Sequence, residues 1–254
     1  MTEAKGIQFN SIYKLGKAAA LRDERNLRLA AILREQVSPP DEYDFDVAHK
    51  GVPTPMFGND RYGDCVIAGR AHQTLRFELV EQNQLIMIAE EDVTKEYFKQ
   101  TGGEDIGLNV LKSLNAWRKK GWQVAKQRYK IKAFAEVSPS DHEEIKRAVY
   151  LDIGVGVGLT LPKTAEEQFA AGKPWDVVNG PDSAPNSWGG HYVYIPGYTD
   201  AGPVCVTWGR KHQITWAFVD KYCDEAYAII DGADTLKKKR GLDAKKIDTF
   251  LASL

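Results

Sequence analysis

The spacing of apolar residues predicts helices in the first half of the chain. A helix that begins at Asp64 or Cys65 would carry one apolar stripe along its length. The members of this stripe lie four residues apart: Ile67, Ala71, Leu75 and Leu79. Further helices are predicted over Ile86–Gln100 and Gly107–Lys119.

The segment that precedes these helices also has a helical composition. Leu15–Gln36 is rich in Ala, Leu, Arg and Glu, and Pro39 and Pro40 would end a helix there. We therefore expect residues 1–38 to form a helical N-terminal arm with a buried face. On this interpretation the arm is an integral part of the fold and not a removable inhibitor.

Short β-type runs, separated by loops rich in Gly and Pro, dominate the chain after about residue 135. These runs are Ile153–Leu161, His191–Tyr198, Val204–Trp208 and Ala226–Ile230. A helix is predicted before them over Ser140–Leu151, and a polar helix after them over Asp231–Leu254. The whole pattern predicts an α+β protein with a helical lobe over residues 39–135 and a β-rich lobe over residues 136–254.

Glycines alternate with other residues in the segment Gly154–Leu159. The alternation is superficially similar to a nucleotide-binding glycine motif. However, the final glycine of that motif is absent, and the sequence does not show the strand, turn and helix that the motif requires. A β-strand is the better interpretation.

The composition excludes several classes of protein. The chain has 254 residues, of which 43% are hydrophobic and 27% charged, which is ordinary for a soluble protein with a core. A formal net charge of -1 gives no overall attraction to nucleic acid or to a membrane surface. No apolar run approaches the ~20 residues that a membrane-spanning helix needs.

The cysteines indicate a reducing compartment. The chain has three of them, Cys65, Cys205 and Cys223, and an odd, low count argues against a disulfide framework. The first residues also lack the apolar core of a secretory signal, so a cytoplasmic location is expected. Without a Cys-x-x-Cys pair, and with scattered histidines, no metal site or other cofactor is predicted.

Cys65 and His191 are the residues with the clearest chemical potential. The N-terminus of a helix favours an anion, so a thiol at Cys65 would ionise more easily, and the same N–H groups can receive an oxyanion. Gly63 would let a substrate backbone come close. His191, at the start of a predicted strand, can serve as base for the thiol and as acid for the leaving group.

The residues around this pair resemble the papain family of cysteine peptidases from Pro39 almost to the end of the chain. Tyr43-Asp44-Phe45 and Val52-Pro53-Thr54-Pro55 are similar to the start of a mature papain-type enzyme. The other similar blocks, in the family's order, are Asn59 to Cys65, Thr101-Gly102-Gly103, His191-Tyr192-Val193 and Val206-Thr207-Trp208-Gly209. The resemblance implies a two-lobe fold, with a helical lobe and an antiparallel, barrel-like β-lobe.

The resemblance also implies a role for individual residues. Cys65 would be the nucleophile, His191 the base, and Asn59 would stand where the family has its oxyanion-hole glutamine. The implied substrate-binding residues are Gly63, Gly102, Gly103, Gly190 and Trp208. A peptide or another amide would be the substrate, and the reaction would pass through an acyl-enzyme that water or an amine resolves.

This chain departs from the family at the residue that orients the histidine. The family's asparagine is replaced by Val206 or by Thr207, depending on how the blocks are aligned, and only a threonine hydroxyl could hold the imidazole. Asn186 lies in a motif that spells the family's asparagine block, but it precedes the histidine. The sequence therefore leaves two hypotheses: an active cysteine hydrolase or acyltransferase, and a papain-fold binding or structural protein that is weakly active or inactive.

Overall fold

The computed structural model describes residues 12–34, 38–49, 51–232 and 235–254. Within these ranges the α-helices are α1 (Leu29–Ile32), α2 (Phe45–Ala48), α3 (Cys65–Gln82), α4 (Glu90–Thr101), α5 (Val110–Lys120), α6 (His142–Tyr150), α7 (Lys163–Ala170), α8 (Trp216–Tyr222), α9 (Leu236–Gly241) and α10 (Ala244–Ala252). None of the helices in the described part of the chain has the length and apolar character needed to cross a bilayer.

The strands form one large antiparallel sheet and one small hairpin. They are β1 (Tyr43–Asp44), β2 (Trp122–Val124), β3 (Gln127–Tyr129), β4 (Ala133–Glu136), β5 (Val155–Leu161), β6 (Gly189–Thr199), β7 (Gly202–Thr207), β8 (Arg210–Gln213) and β9 (Cys223–Ile230). The large sheet has the order β4-β9-β5-β6-β7-β8, with β1 paired beside β6, while β2 and β3 form the hairpin.

The large sheet is open and not closed on itself. Its outer strands, β4 and β8, do not pair with each other in the described structure. The α+β class predicted from the sequence is confirmed, but the barrel-like closure expected for the second lobe is not. The long strand β6 lies between β5 and β7, so it has neighbours on both edges and little freedom to shift.

Helix α3 packs directly against β6, and this contact joins the two hydrophobic cores. One core is built mainly by the helices before residue 125, and the other by the sheet with α6, α7 and α8. Tyr192 of β6 packs into the first of these cores, whereas its neighbour Val193 packs into the second. Successive side chains of a strand point to opposite faces, so β6 contributes to both cores at once.

Several predicted elements are confirmed with small shifts of their ends. Helix α3 begins at Cys65, as the apolar stripe predicts, and all four predicted β-runs are strands. The predicted C-terminal helix is divided into α9 and α10. Helices α7 and α8 and the β2–β3 hairpin are not recognised in the sequence, because short elements held by tertiary packing have little periodicity of their own.

The helix predicted over Leu15–Gln36 is wrong for most of its length. Residues 12–28 have no helix, and only Leu29–Ile32 forms a single helical turn, while Glu35 and Gln36 lie outside the described residues. The backbone of this segment bonds instead to other parts of the chain, for example from Lys17 N to Gly190 O at 3.0 Å. Composition favours a helix only weakly, and these tertiary hydrogen bonds override it.

The last part of the arm is built into the β-lobe. Leu29 and Ile32 are fully buried in the core of the sheet, and Arg28 forms a β-bridge with Glu136. Leu33 forms a second bridge, to Leu242. The buried face that the sequence predicts for the arm is therefore real in residues 27–33, although the helical form is not. The proposed division at residues 38 and 135 places this integrated segment outside the lobe that it packs into.

We predict that Leu29→Ala lowers the free energy of unfolding by about 2–5 kcal/mol, because it leaves a cavity in the core beneath the sheet. Leu21→Ala is the matched control: its side chain is 42% exposed, and we expect a change of about 0.5 kcal/mol or less. Chemical denaturation of the full chain measures both. Equal, small effects would contradict the integration of residues 27–33.

Candidate active site

Cys65 opens helix α3 and is 1% exposed. Burial, with a smaller contribution from the nearby Asp64, raises the pKa of its thiol to about 12. Backbone hydrogen bonds from Tyr192 and Gly16 favour the thiolate but do not offset burial. The hydrogen bond from Tyr192 places the thiol beside the strand that carries His191. Because its pKa is raised so far, the thiol is protonated at neutral pH in this state.

His191 lies in β6 and is held on two sides. Its Nε2 lies 2.7 Å from Thr207 Oγ1, and the ring of Trp208 stacks on the imidazole with centroids 4.2 Å apart. Nδ1 has no hydrogen-bond partner among the described residues, so it is the ring nitrogen that Thr207 does not engage. For Nδ1 to accept a proton, Nε2 must carry its own proton and donate it to the Thr207 hydroxyl.

Burial also keeps the imidazole uncharged. It lowers the pKa of His191 to about 3, because the charged form has lost its contact with water. Together with the raised pKa of Cys65, this makes both groups neutral near pH 7 in the described state. A charged thiolate–imidazolium pair thus requires that water or a polar ligand enters the site.

The arm contacts the residues around Cys65 and His191. Its residues 13–18 run extended through the cleft between the two lobes. On one side Lys17 N donates to Gly190 O at 3.0 Å, and on the other Leu108 N donates to Gly16 O at 2.7 Å. Ala18 N completes the second side with a bond of 2.9 Å to Leu108 O. The arm is therefore hydrogen-bonded by its main chain to both walls of the cleft.

Asn59 uses its side-chain amide on the arm. Its Nδ2 donates to Lys14 O at 3.2 Å and to Tyr62 O at 3.0 Å. The indole of Trp208 donates to the same Lys14 carbonyl at 3.2 Å. The Lys14 carbonyl therefore already accepts a hydrogen bond from the Asn59 amide, which the sequence predicts as a donor to an oxyanion.

Two of the four glycines named from the sequence contact the arm. A Cβ atom added to Gly190 would lie 2.1 Å from Lys17 O, and one added to Gly63 would lie 2.8 Å from Leu15 O. Gly102 and Gly103 lie instead at the C-terminal end of α4, where an added Cβ meets no atom within 4 Å. The structure does not bring this pair to the arm.

The wall that the arm contacts is held by residues that the sequence reasoning missed. Asp105 Oδ1 accepts hydrogen bonds from Gly63 N at 2.9 Å and from the Tyr97 hydroxyl at 2.6 Å. Gly107 N in turn donates to the Tyr97 oxygen at 2.9 Å. One carboxylate thereby fixes the loop before Cys65 to the loop before Leu108. Neither Asp105 nor Tyr97 stands in a motif, so the sequence carries no signal for this role.

Val206, Thr207 and Asn186, the three candidates for the residue that orients the His191 ring, lie in different surroundings. Val206 is part of the buried sheet, and Thr207 follows it with its hydroxyl on the imidazole. Asn186 lies in a turn with φ of 63°, and its backbone N–H donates to Thr160 O. Within the described ranges, no group of three or more His, Cys, Asp or Glu residues is placed to hold a metal ion.

Structural comparison gives this arrangement a context. Xylellain, a cysteine protease from Xylella fastidiosa, superimposes with a TM-score of 0.64 at 14% identity, over 88% of this chain and 98% of xylellain. Procathepsin B from Trypanosoma congolense gives 0.60 at 14% identity, over 87% of each chain. No protein-family model and no curated protein sequence matches the chain significantly.

A third similar structure contains the cysteine protease and lectin-like domains of Cwp84, a surface-layer-associated protein of Clostridium difficile. Its TM-score is 0.60 at 12% identity, over 87% of this chain and 56% of that one. The chain has the papain-like cysteine protease fold. At these sequence identities, the similar structures show the fold of this chain but not its activity. Any chemistry has to be inferred from the residues of this chain.

Asp64 places a carboxyl group next to Cys65 in this papain-like fold. It is fully buried immediately before Cys65. Burial, with the nearby carboxylates of Asp105 and Asp60, raises its pKa to about 8. Near pH 7 the carboxyl group therefore keeps its proton, and it adds little negative charge beside the thiol as long as the site stays dry.

We predict that Asp64→Asn raises the stability of the papain-like fold at neutral pH but not at pH 4. An unfolded Asp ionises near pH 4, whereas the folded one does so near pH 8, so stability is lost between these values as the pH rises. The neutral amide avoids this loss, and since each pKa unit is worth about 1.4 kcal/mol we expect a gain of up to about 4 kcal/mol at pH 7.

Thermal unfolding of the full chain between pH 4 and pH 8 measures this effect. The control is Asp248→Asn, which removes an aspartate outside this site whose side chain is 63% exposed. An Asp64→Asn curve parallel to that of the parent chain would show that Asp64 does not titrate in this range.

We predict that Thr207→Val releases the His191 ring, whereas Thr207→Ser keeps it fixed. A neutral hydrogen bond is worth about 1 kcal/mol, so any reaction that needs the base should slow by about 10-fold or less in the valine variant. The ¹⁵N chemical shifts of the imidazole report the tautomer directly. Identical shifts in parent and Thr207→Val would mean that another group orients the ring.

Proposed function

We propose that the chain is a cysteine-dependent hydrolase of peptides or other amides, which acts through an acyl-enzyme on Cys65. The observation that carries the proposal is the extended segment at residues 13–18. It lies beside the thiol with main-chain hydrogen bonds to both walls, as a peptide substrate must. The cleft is thus suited to hold a polypeptide backbone next to a nucleophile.

The proposed reaction uses His191 first as base and then as acid. Nδ1 takes the thiol proton, and Sγ forms a bond to the carbonyl carbon of the scissile amide. The oxyanion accepts hydrogen bonds from the Cys65 N–H and, once the arm has withdrawn, from Asn59 Nδ2. His191 then gives its proton to the departing amine, which leaves a thioester.

The second half of the reaction resolves the thioester. His191 removes a proton from water, the hydroxide oxygen bonds to the acyl carbon, and the thiol leaves with its proton restored. An amine in place of water would make the same site an acyltransferase. Throughout both steps Thr207 holds Nε2, so that Nδ1 is the nitrogen that takes up and gives back the proton.

The arm makes the described state a latent one. Residues 13–18 fill the cleft, occupy Asn59 and keep both reacting groups neutral, so turnover requires that this segment leaves. The expectation that the arm is purely structural is replaced by a proposal in two parts: residues 27–33 hold the fold, and residues 13–18 block the site. The turn at Asp23–Asn26 separates the two parts.

A binding protein without turnover is the second candidate. It is favoured by the neutral Cys65–His191 pair and by the weak orienting group, Thr207. In that case the arm would stay bound in the cleft permanently, and the cleft would not open to a substrate.

We predict that release of the arm makes Cys65 reactive. A site for a sequence-specific protease is placed in the turn at residues 23–26, and the cut N-terminal piece is removed by gel filtration. Iodoacetamide at pH 6 should then alkylate Cys65 at least about 10-fold faster than in the uncut chain, because water can now stabilise the ion pair. Mass spectrometry locates the modified residue.

The controls separate the two candidates. Cys65→Ala reports the background from Cys205, which is buried, and Cys223, which is partly buried. The cut protein is also tested against a mixture of peptides, which it should cleave, while its Cys65→Ala variant should not. A cut protein whose Cys65 remains slow and which cleaves no peptide would favour the binding protein.

A further inference from the structure

Charge is distributed unevenly along the chain, although the formal net charge is only -1. Residues 106–135 contain eight Lys or Arg residues and no Asp or Glu. This stretch therefore carries a formal charge of +8, and the rest of the chain carries -9. A total near zero thus does not exclude a local attraction to a polyanion.

The fold collects five of these basic side chains on one surface, which we call the basic patch. The patch consists of Lys119 and Lys120 in the last turn of α5, Lys126 in the turn of the β2–β3 hairpin, Arg128 in β3, and Lys130 just after β3. All five residues are exposed.

Gly121 brings the end of α5 and the hairpin together. It ends the helix with a φ of 68°, and an added Cβ would lie 2.6 Å from Lys130 Cγ and 3.1 Å from Arg128 Cγ. The guanidinium of Arg128 reaches the end of the helix, where it donates a hydrogen bond of 3.0 Å to Lys120 O. The basic residues of the helix and of the hairpin therefore form one continuous surface.

The register of the hairpin turns its apolar side chains inward. Trp122 and Val124 are buried in the core of the helical lobe. Gln123 pairs with Arg128, and directly opposite residues of two strands share one face, so both lie on the other face of the hairpin. The hairpin thus presents amide and guanidinium groups to the outside.

The basic patch has no acidic partner within the described part of the chain. None of its five side chains forms an ion pair there, whereas the nearby Lys132 pairs with Asp248 at 2.8 Å. Asp92, at the hairpin turn, accepts a hydrogen bond from Ala125 N. Cations that are held close together without carboxylates repel one another. A bound polyanion would remove this repulsion.

The chemistry of the surface favours a nucleic acid over a membrane or an acidic protein. Surfaces that bind membranes insert large apolar side chains, and protein interfaces have an apolar centre. The exposed residues of the hairpin are instead small or polar: Ala125, Lys126, Gln127, Arg128 and, just after β3, Lys130. Phosphate groups are bound by hydrogen-bond donors and cations of this kind.

The aromatic residues favour a duplex over a single strand. Single strands are bound largely through bases that stack on accessible aromatic side chains. Trp117 and Trp122 are buried, and Tyr129, which is partly buried, lies opposite Trp122 in the hairpin. The basic patch therefore offers cations to a phosphate backbone without an aromatic surface for bases.

The basic patch lies away from the cleft. Leu108, which bonds to the arm, precedes the first residue of α5, whereas Lys120 is the last residue of this helix. The helix has 11 residues and is therefore about 16 Å long. A nucleic acid on the patch and a polypeptide in the cleft would occupy different surfaces.

We propose that Lys119, Lys120, Lys126, Arg128 and Lys130 form a binding surface for the sugar–phosphate backbone of a double-stranded nucleic acid. The proposal goes beyond the proposed function and does not rest on it, because it uses neither Cys65 nor the cleft.

The first test titrates the full chain into a fluorescently labelled DNA duplex of mixed sequence and follows binding by fluorescence anisotropy. Each phosphate contact releases counterions, so five contacts predict about 20-fold weaker binding when the salt concentration is doubled from about 50 mM. No binding at about 50 mM salt, with up to about 100 μM protein, would overturn the proposal.

The second test removes three cations of the basic patch. The variant combines Lys126→Gln, Arg128→Gln and Lys130→Gln, which leaves two contacts. We expect at least about 10-fold weaker binding of the duplex at about 50 mM salt, and only about 3-fold further weakening when the salt is doubled. Parent-like affinity and salt dependence in this variant would show that the duplex does not bind at the patch.

A matched control changes the total charge by the same amount elsewhere. It replaces three exposed lysines of the β-lobe by glutamine: Lys163, Lys173 and Lys221. This control should bind the duplex within about 3-fold of the parent chain, since it leaves all five phosphate contacts in place. An equal loss in both triple variants would contradict the proposal, because binding would then follow total charge. Thermal unfolding confirms that both variants are folded.

The last comparison tests the choice of ligand. The unlabelled duplex competes for the labelled one beside the matching single strand, heparin, polyglutamate and phosphatidylserine vesicles, all at equal concentrations of negative charge. The duplex should be the strongest competitor. Stronger competition by any of the other four would mean that the patch binds a different polyanion, and the proposal would be wrong.

Discussion

The close packing of helix α3 on strand β6 is the contact on which the rest of the structure depends. Gly69 of α3 and Gly156 of β5 leave a space that the ring of Tyr192 fills; an added Cβ would lie 2.7 Å and 1.7 Å, respectively, from atoms of that side chain. A glycine inside a helix costs about 1 kcal/mol, and here it permits an approach that no other residue allows. The contact sets the distance between the first residue of α3, Cys65, and the residue before Tyr192, His191.

The arm binds at the place where the packing of α3 on β6 brings the two lobes together. It lies where the two lobes face each other and satisfies main-chain groups on both walls, at Leu108 and Gly190. Because those groups would otherwise face water, they are available to any extended chain of suitable sequence. The two walls thus form a general site for a polypeptide backbone.

Burial determines the charge state of the whole site. Cys65, His191 and Asp64 all have pKa values displaced toward their neutral forms, and burial is the largest cause for each. A dry cleft therefore holds neutral groups, and a hydrated one would hold ions. Occupation of the cleft by the arm and loss of reactivity are, in this view, one physical effect.

The sequence by itself located several of the elements and identified Cys65 and His191 as candidates for the chemistry. Apolar spacing is a local property, so it located the start of α3 at Cys65, and β-type runs located β5, β6, β7 and β9. The resemblance of the blocks around Cys65 and His191 indicated the fold that the structural comparisons then showed. Thr207 was one of two positions left open by the alignment.

Only the tertiary structure decided the conformation of the arm, the wall of the cleft and the closure of the sheet. Residues 15–28 have a helical composition, but long-range hydrogen bonds to Leu108, Gly190 and Asn59 outweigh that weak preference. Gly107 and Leu108, and not Gly102 and Gly103, contact the bound segment, because Tyr97 and Asp105 fix that loop from a distance. Such bonds join residues far apart in the chain, and local sequence patterns carry no record of them.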